Sequence, residues 1–483
     1  MAGGYWLEDD GMARDNGAAG SAKPPYRVPP MAEINKIKWN GLKVASLFAG
    51  AGGSSLGYRM AGFRIIYANE FVPVAQESYR ANMRKGTILD GRDIREITAE
   101  SILAAAKIGV GELDLLDGSP PCQAWSSAGR RDKGWGKNKK YAHGAEQKNE
   151  EMFSDFIRIR DGLMPQTFVA ENVSGLVKGT AKGFFLEILR ELKKGYRVEA
   201  RLLDAQWLGV PQQRVRVIFV GVRDDLGLDP AFPDPLPYRY SVRDALPWIG
   251  GAVHDTGRKG QRAKDITGRP SPTITSGPND IREGGGPRNH FKVEAETDIS
   301  RYAIGAEYDK LNPGQQSDKY FNLVRADASQ PSPTIMSSSG KFVSGAAVMH
   351  PTEKRRFSIL EVKRLCSFPD DFELKGSFAA QWERLGNSVP PRMAMWIGAA
   401  IRDKVLLPWY RAQKTKPKSS TSAPNASARR MAALSLPAAP TPHAQPSASK
   451  AVRKSHRELP GKSRTVQSQT SSTSAIPATT RDA

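Results

Sequence analysis

Cys122 stands in the run Asp117-Gly118-Ser119-Pro120-Pro121-Cys122-Gln123-Ala124-Trp125-Ser126, after an apolar stretch that begins at Leu113. A lone cysteine is most often a small packing residue. This one follows two rigid prolines and precedes a polar loop, an arrangement that presents a thiol rather than burying one. The next apolar stretch ends in Glu171-Asn172-Val173, which brings a carboxylate, and Gln212-Gln213-Arg214-Val215-Arg216 brings two guanidiniums two residues apart. On a strand that spacing points both to one face. Together these groups could supply a nucleophile, a proton carrier and fixed positive charge.

A second set of residues suggests a bound nucleoside. Phe48-Ala49-Gly50-Ala51-Gly52-Gly53-Ser54-Ser55-Leu56-Gly57 places glycines where a strand turns into a helix, so the backbone can approach a ligand closely. The dinucleotide fingerprint fails, because Ser55 stands where its third glycine should be, and a nicotinamide enzyme is disfavoured. Glu70-Phe71 ends the second apolar run, offering an acid to ribose hydroxyls and a ring to a purine. Asp93-Ile94 could receive an adenine amine. In chain order these features describe an adenosine site.

The elements that must position these groups are legible as alternating patterns. Leu42 to Phe48, Arg64 to Asn69, Leu113 to Asp117 and Thr167 to Ala170 read as buried strands, and Phe184 to Lys194 as an amphipathic helix. YRVEARLLDA and VRVIFVGV suggest a closing antiparallel pair. Ser358 to Phe368 and Pro391 to Val405 read as helices. The fold class is α/β, a doubly wound Rossmann-like sheet with a smaller irregular domain.

At these motifs the chain resembles a bacterial-type DNA (cytosine-5)-methyltransferase. FAGAGG resembles the family's cofactor loop, NEF its ribose-binding acid, PPCQ its nucleophile loop and ENV its catalytic carboxylate. The Q-x-R-x-R of Gln212, Arg214 and Arg216, PSPTI at Pro331 to Ile335, RRFSILEVKRLCSFPDDF and GNSVPP at Gly386 to Pro391 complete the order, from about Val44 to Ile401. PSPTI is duplicated, a second copy standing in GRPSPTITS (Gly268 to Ser276); the copy before HPTEKRRFS is assigned to the family element. Ser46 stands where the family commonly has Asp, Trp125 where Phe is usual, Met152 where Leu is usual and Cys366 where Gln is frequent.

The resemblance implies a mechanism. Cytosine C5 is too weak a nucleophile to attack a methyl sulfonium, so the Cys122 thiolate adds to C6 and makes the ring an enamine. Glu171 meets the N3 edge carrying or sharing a proton, and Arg214 and Arg216 support the loop, the base or a phosphate. S-adenosyl-L-methionine is the cofactor, held by Phe48, Ala49, Gly50, Gly52, Gly53, Glu70, Phe71, Asp93, Ile94, Pro120, Asn387 and Ser388, with no metal. The base is flipped out of double-stranded DNA. Ala124 to Glu151, with Arg130, Arg131, Lys133, Lys137, Lys139, Lys140 and Lys148, resembles the family's mobile catalytic loop. Recognition falls to a region of about 223–330, where Arg258, Lys259, Arg262, Lys264, Arg282 and Arg288 are candidates. Cys366 reads as a core residue.

Composition sets the outer limits. The 483 residues carry 71 Lys and Arg against 50 Asp and Glu, a net charge of +21 that favours a polyanionic partner. Two cysteines exclude a disulfide framework and a four-cysteine zinc site. No apolar run is long enough to span a bilayer, and Glu8, Asp9 and Asp10 stand where a secretory signal would be basic. A cytoplasmic, nucleoid-associated monomer is expected, with a separately acting restriction endonuclease as a further partner. The expected organisation is a flexible segment over 1–40, a catalytic and cofactor domain over 41–222, a target-recognition domain over 223–330, a return segment over 331–410 and a disordered basic tail over 411–483. In that tail 13 Lys and Arg face two acids without one aromatic residue, too little apolar material to offset ordering.

Overall fold

The computed structural model describes residues 23–121, 139–140, 146–147, 152–178, 181–249, 297–340 and 345–415. These fall in one compact unit, Met1–Lys416; a second, Pro417–Ala483, lies outside the described residues, and with it the expected basic tail of 411–483 except for residues 411–415, which end a helix rather than begin a disordered segment. In chain order the elements begin with α1 (Met31–Ile34), β1 (Lys43–Leu47), α2 (Gly53–Met60), β2 (Arg64–Asn69), α3 (Pro73–Asn82), β3 (Ile88–Asp90), α4 (Ala99–Ala106) and β4 (Leu115–Gly118). The short pair β5 (Lys139–Lys140) and β6 (Glu146–Gln147) follows, then α5 (Met152–Leu163), β7 (Thr167–Val173), α6 (Lys182–Leu192), β8 (Tyr196–Asp204) and β9 (Val215–Arg223). The remainder is α7 (Val242–Ala245), α8 (Ala303–Tyr308), β10 (Val324–Arg325), β11 (Val348–Met349), α9 (Ile359–Leu365), α10 (Phe378–Asn387), α11 (Pro391–Ile401) and α12 (Leu407–Thr415).

The apolar runs become strands because each is buried on both faces of a seven-stranded sheet with order β3-β2-β1-β4-β7-β9-β8. Neighbours pair in parallel except β9, which runs antiparallel to β7 and to β8. The expected antiparallel pair is therefore present, with β9 inserted between β7 and β8. Phe153, Phe156, Ile159 and Leu163 of α5 and Phe185, Ile188, Leu189 and Leu192 of α6 cover one face. Tyr58 of α2 and Met393, Ala394, Ile397 and Ile401 of α11 cover the other. Chain order reverses between β1 and β4, and a doubly wound sheet opens a crevice at the carboxyl ends of the strands flanking such a switch.

Two expected boundaries fall elsewhere. Residues 23–40 pack on the body: Met31 and Ile34 are buried, the Tyr26 hydroxyl donates to the Arg364 carbonyl at 2.7 Å, and the Met31 amide donates to Asp371 at 3.0 Å. The folded unit thus starts before Gly41, because Pro-rich composition averaged over 40 residues hides a few anchoring side chains. Residue 330 is no physical boundary either. One apolar cluster joins Val242, Leu246, Ile299, Ile304 and Leu323 to Ile335, Val362, Leu365 and Trp382. Residues 250–296, with the six basic recognition candidates, lie outside the described residues.

Candidate active site

The loop after β1 and the loop after β4 leave the sheet side by side at the switch point, because Ser46 pairs with Asp117 and Leu47 with Gly118. Phe48 leaves β1 with φ 54°, a conformation costly for a bulky side chain and found where a backbone is held for function. Gly50, at φ 57°, has no atom within 4 Å of where a Cβ would stand, so the turn is open on that side. The Gly50 amide donates to the Glu70 carboxylate at 2.7 Å and the Val72 amide donates to its other oxygen at 2.7 Å. Burial raises the Glu70 carboxyl above its ordinary value, against the opposing pull of these amides and of the Arg384 charge.

The remaining nucleoside candidates are spread around this turn. Phe71 is half-buried and packs on Val72, Val74, Ala75 and Ala380. Asp93 caps a short helical turn, accepting the Arg95 amide at 3.0 Å and pairing with the Arg95 guanidinium at 2.7 Å. Ile94 is buried in the cluster beneath β1 and β4. Gly53 approaches the GNSVPP turn so closely that a Cβ there would meet the Val389 carbonyl at 2.5 Å and Ser388 Cβ at 3.2 Å. Ser388 thus lies against the glycine loop, whereas Asn387 is exposed at the end of α10. The turn's open side, the buried acid and the close Ser388 form one cradle at the switch point.

On the other side of the switch point, Pro120 is buried and its carbonyl accepts the Asn172 side-chain amide at 3.2 Å. Glu171, one residue earlier, is buried and pairs with Arg216 at 2.9 Å. The register of β7 with β9 sets this pair, since Val173 stands opposite Arg216 and Glu171 shares that face two residues back. Cys122 lies outside the described residues, as does most of Ala124 to Glu151, apart from the backbone pairing of β5 with β6.

The two arginines have different surroundings. Arg214 precedes β9 and is fully buried; it donates to the Gly386 carbonyl at 2.9 Å, the Ser388 carbonyl at 2.8 Å and the Ile335 carbonyl at 3.4 Å. Burial, followed by the Arg216 charge, lowers its pKa to about 9, which leaves it cationic at neutral pH. Arg214 therefore ties β9 to the GNSVPP turn, while Arg216 alone faces the carboxylate. The Pro331 to Ile335 copy of PSPTI runs beside Gln212 and Gln213, with the Gln213 amide donating to Ser332 at 2.8 Å. The other copy lies outside the described residues. Cys366 is buried in the core, where burial raises its thiol pKa and Gln212 donates to its sulfur at 3.2 Å.

The model for C-5 cytosine-specific DNA methylases matches residues 42–403, three quarters of the chain. The chain belongs to this family. The type II methyltransferase M.NgoFVII of Neisseria gonorrhoeae is 30% identical over 367 residues, covering 74% of this chain and 86% of that one. M.FnuDI of Fusobacterium nucleatum is 30% identical over 369 residues, covering 75% and 94%. A crystal structure described as a DNA modification methyltransferase encoded within an E. coli prophage superposes with a TM-score of 0.53 at 22% identity, covering 75% of this chain and 99% of that one. The methylase fold and the DNA (cytosine-5)-methyltransferase activity read from the motifs therefore hold, and the family depends on S-adenosylmethionine. No helix among the described residues is long and apolar enough to cross a membrane.

Two residues of this methylase escaped sequence reasoning. Asn172 was visible only as the middle of ENV, yet its side chain reaches the Pro120 carbonyl of the PPCQ loop. Asp117 is a fully buried acid in an apolar strand, and its position opposite Ser46 becomes visible only once β1 and β4 are aligned.

Proposed function

We propose that this methylase acts on one cytosine in a short duplex sequence, flipped into the crevice between the glycine loop and the PPCQ loop, with Cys122 as its nucleophile. S-adenosylmethionine supplies an electrophilic methyl group. Around it Glu70 accepts ribose hydroxyls, Phe71 faces the purine, Asp93 takes the adenine amine, and the loop from Phe48 to Gly53 follows the amino-acid end with Pro120, Asn387 and Ser388.

The Cys122 sulfur forms a bond to C6, and the C5=C6 electron pair becomes available for methylation at C5. Charge that develops on the ring is met at N3 by Glu171, which donates or shares a proton there. Arg216 orients the Glu171 side chain so that it need not reorganise, and the charge developing at N3 draws the shared proton toward the ring. Loss of the C5 proton to a base then restores the double bond and expels the thiolate. The observation that carries this reading is the Glu171–Arg216 pair at the carboxyl end of β7, next in the chain to Asn172, whose side chain bonds the Pro120 carbonyl. Arg214 acts at one remove, by holding the turn that contains Ser388.

Double-stranded DNA is the substrate, and the chain works as a cytoplasmic monomer associated with the nucleoid. The curated relatives are type II methyltransferases, which supports a place beside a separately acting restriction endonuclease. Bisulfite sequencing of plasmid DNA from cells expressing the protein or its Cys122→Ala variant is the test. Protected cytosines in one short context, lost in the variant, are expected; protection that persists in the variant would overturn the nucleophile assignment.

A further inference from the structure

The glycine loop is closed by a single carboxylate. Asp117 Oδ2 accepts the Ser46 hydroxyl at 2.8 Å and the Ser54 hydroxyl at 2.7 Å, while Oδ1 accepts the Tyr58 hydroxyl at 3.0 Å. Ser46 lies two residues before Phe48 and Ser54 directly follows Gly53, so one oxygen pins both ends of the turn from Phe48 to Gly53. Tyr58, one helical turn further on, fixes the direction of α2. Asp117 itself lies on β4, five positions before Cys122 in the chain.

We infer that Asp117 is a positioning residue for methyl transfer, shaping the cofactor loop and fixing it relative to the strand that delivers the nucleophile. This rests on the reading that the loop holds S-adenosylmethionine and that Cys122 attacks. Simple structural need does not account for an acid here. Asp117 is 3% exposed, and among the described residues no cation pairs with it. Burial raises its pKa to about 6, and the nearby Glu171 charge adds to the rise, so the ionised form at neutral pH is a cost to the fold. What the charge provides is acceptor capacity: a carboxylate takes three hydroxyl donors at once without a donor of its own to satisfy.

The register explains where the carboxylate comes from. Ser46 stands where the family commonly has Asp, and Ser46 and Asp117 are direct partners on adjacent parallel strands, with side chains on one side of the sheet. Here the acid stands on β4, and the Ser46 hydroxyl on β1 donates to it. A carboxylate moved to position 46 is expected to face the same two hydroxyls on α2, and the double exchange tests this.

The full-length protein tests this with Asp117→Ser, Asp117→Asn and the double exchange Ser46→Asp/Asp117→Ser. S-adenosylmethionine affinity is measured by calorimetry and duplex affinity by fluorescence anisotropy, with melting temperature as a control for folding. Asp117→Ser is expected to weaken cofactor binding by about tenfold or more and to leave duplex affinity within about twofold, the loss that charge-assisted hydrogen bonds imply. Asp117→Asn falls between, and the double exchange returns to within about threefold of wild type, since it restores the acceptor. The proposal is overturned if Asp117→Ser binds cofactor as wild type does, if cofactor and duplex affinity fall together, or if the double exchange is no better than Asp117→Ser. A wild-type protein that binds no S-adenosylmethionine overturns the cofactor reading itself, and this proposal with it. Should Asp117→Ser fail to fold, comparing Asp117→Asn with the double exchange still decides.

Discussion

Asn172 links β7 to the PPCQ loop: its amide donates to the Pro120 carbonyl at 3.2 Å while its own oxygen accepts the Val173 amide at 2.8 Å. The side chain is held at both ends and has one orientation. It therefore fixes how far the two prolines before Cys122 stand from Glu171, and misplacement at that distance slows chemistry without touching the cofactor. Asn172→Ala should lower kcat by about tenfold, the equivalent of one buried hydrogen bond. Single-turnover transfer of a labelled methyl group and cofactor calorimetry check this. An unchanged kcat, or an equal loss of cofactor affinity, would remove Asn172 from the role.

Gly50 adopts φ 57° on the open side of the glycine turn that follows β1. A side chain there meets no protein atom, so Gly50→Ala should cost only the left-handed strain, about 1–2 kcal/mol of stability. Its methyl group would instead project into the cradle. Cofactor affinity should fall further than stability does, and comparison of calorimetry with urea unfolding separates the two. Equal losses would show that the open side does not face the ligand.

Arg214 and Arg216 make opposite predictions despite their shared motif. Arg214→Ala leaves three carbonyls and a buried space behind, and should destabilise the fold by about 3 kcal/mol. Its cofactor affinity should fall as well, because the Ser388 turn is released. Arg216→Ala removes the partner of Glu171 from a site at the crevice and should cost about 1 kcal/mol of stability. Its kcat should drop by about a hundredfold, as expected when a reacting group loses its orientation. Denaturant unfolding and steady-state kinetics on both variants settle the contrast; a stability loss in Arg216→Ala as large as in Arg214→Ala would refute it.

These differences also mark what a linear pattern can reveal. The sheet was legible because buried parallel strands are apolar along their whole length, as in Val44, Ala45 and Leu47 or Phe168, Val169 and Ala170. PPCQ, ENV and the glycine loop were legible because each sits at a strand's carboxyl end. Alternation placed Arg214 and Arg216 on one face, yet it carries no information about what covers that face. Arg214 precedes the strand and is covered by the PSPTI and GNSVPP elements, more than 100 residues away in the chain. Asp117 was hidden for a similar reason, since its partners come from β1 and α2 and only strand register aligns them. Met31, Ile34 and Tyr26 were masked by the polar residues around them.

His350, packed against Phe357, provides a pH test of the apolar cluster that joins Val242 to Trp382. Its Nδ1 accepts the Thr352 amide at 3.3 Å and the Glu353 amide at 3.0 Å, so that nitrogen carries no proton and the ring is neutral with its hydrogen on Nε2. Nε2 lies 3.7 Å from Glu361 and 3.8 Å from Glu353, while the Arg355 guanidinium binds the same Glu361 at 2.7 Å. Burial is the largest influence and lowers the His350 pKa from 6.5 to about 4. Between those values the unfolded chain takes up a proton that the native ring refuses, so stability falls as pH falls from 6.5 to 4, by up to about 3 kcal/mol. Asp117 acts in the opposite sense, since its pKa is raised to about 6 and folding then gains a proton on acidification. Glu361 is held below its ordinary value, with burial opposing and the Arg355 bonds lowering it, so its contribution is lost only at still lower pH. A comparison with His350→Asn isolates the ring, because the other groups are common to both proteins and the asparagine oxygen can accept the same amides. Urea unfolding at pH 7.5 and pH 5 should show a smaller acid loss in the variant, by about 2 kcal/mol. Identical pH dependence in the two proteins would show that His350 accepts a proton in the native state.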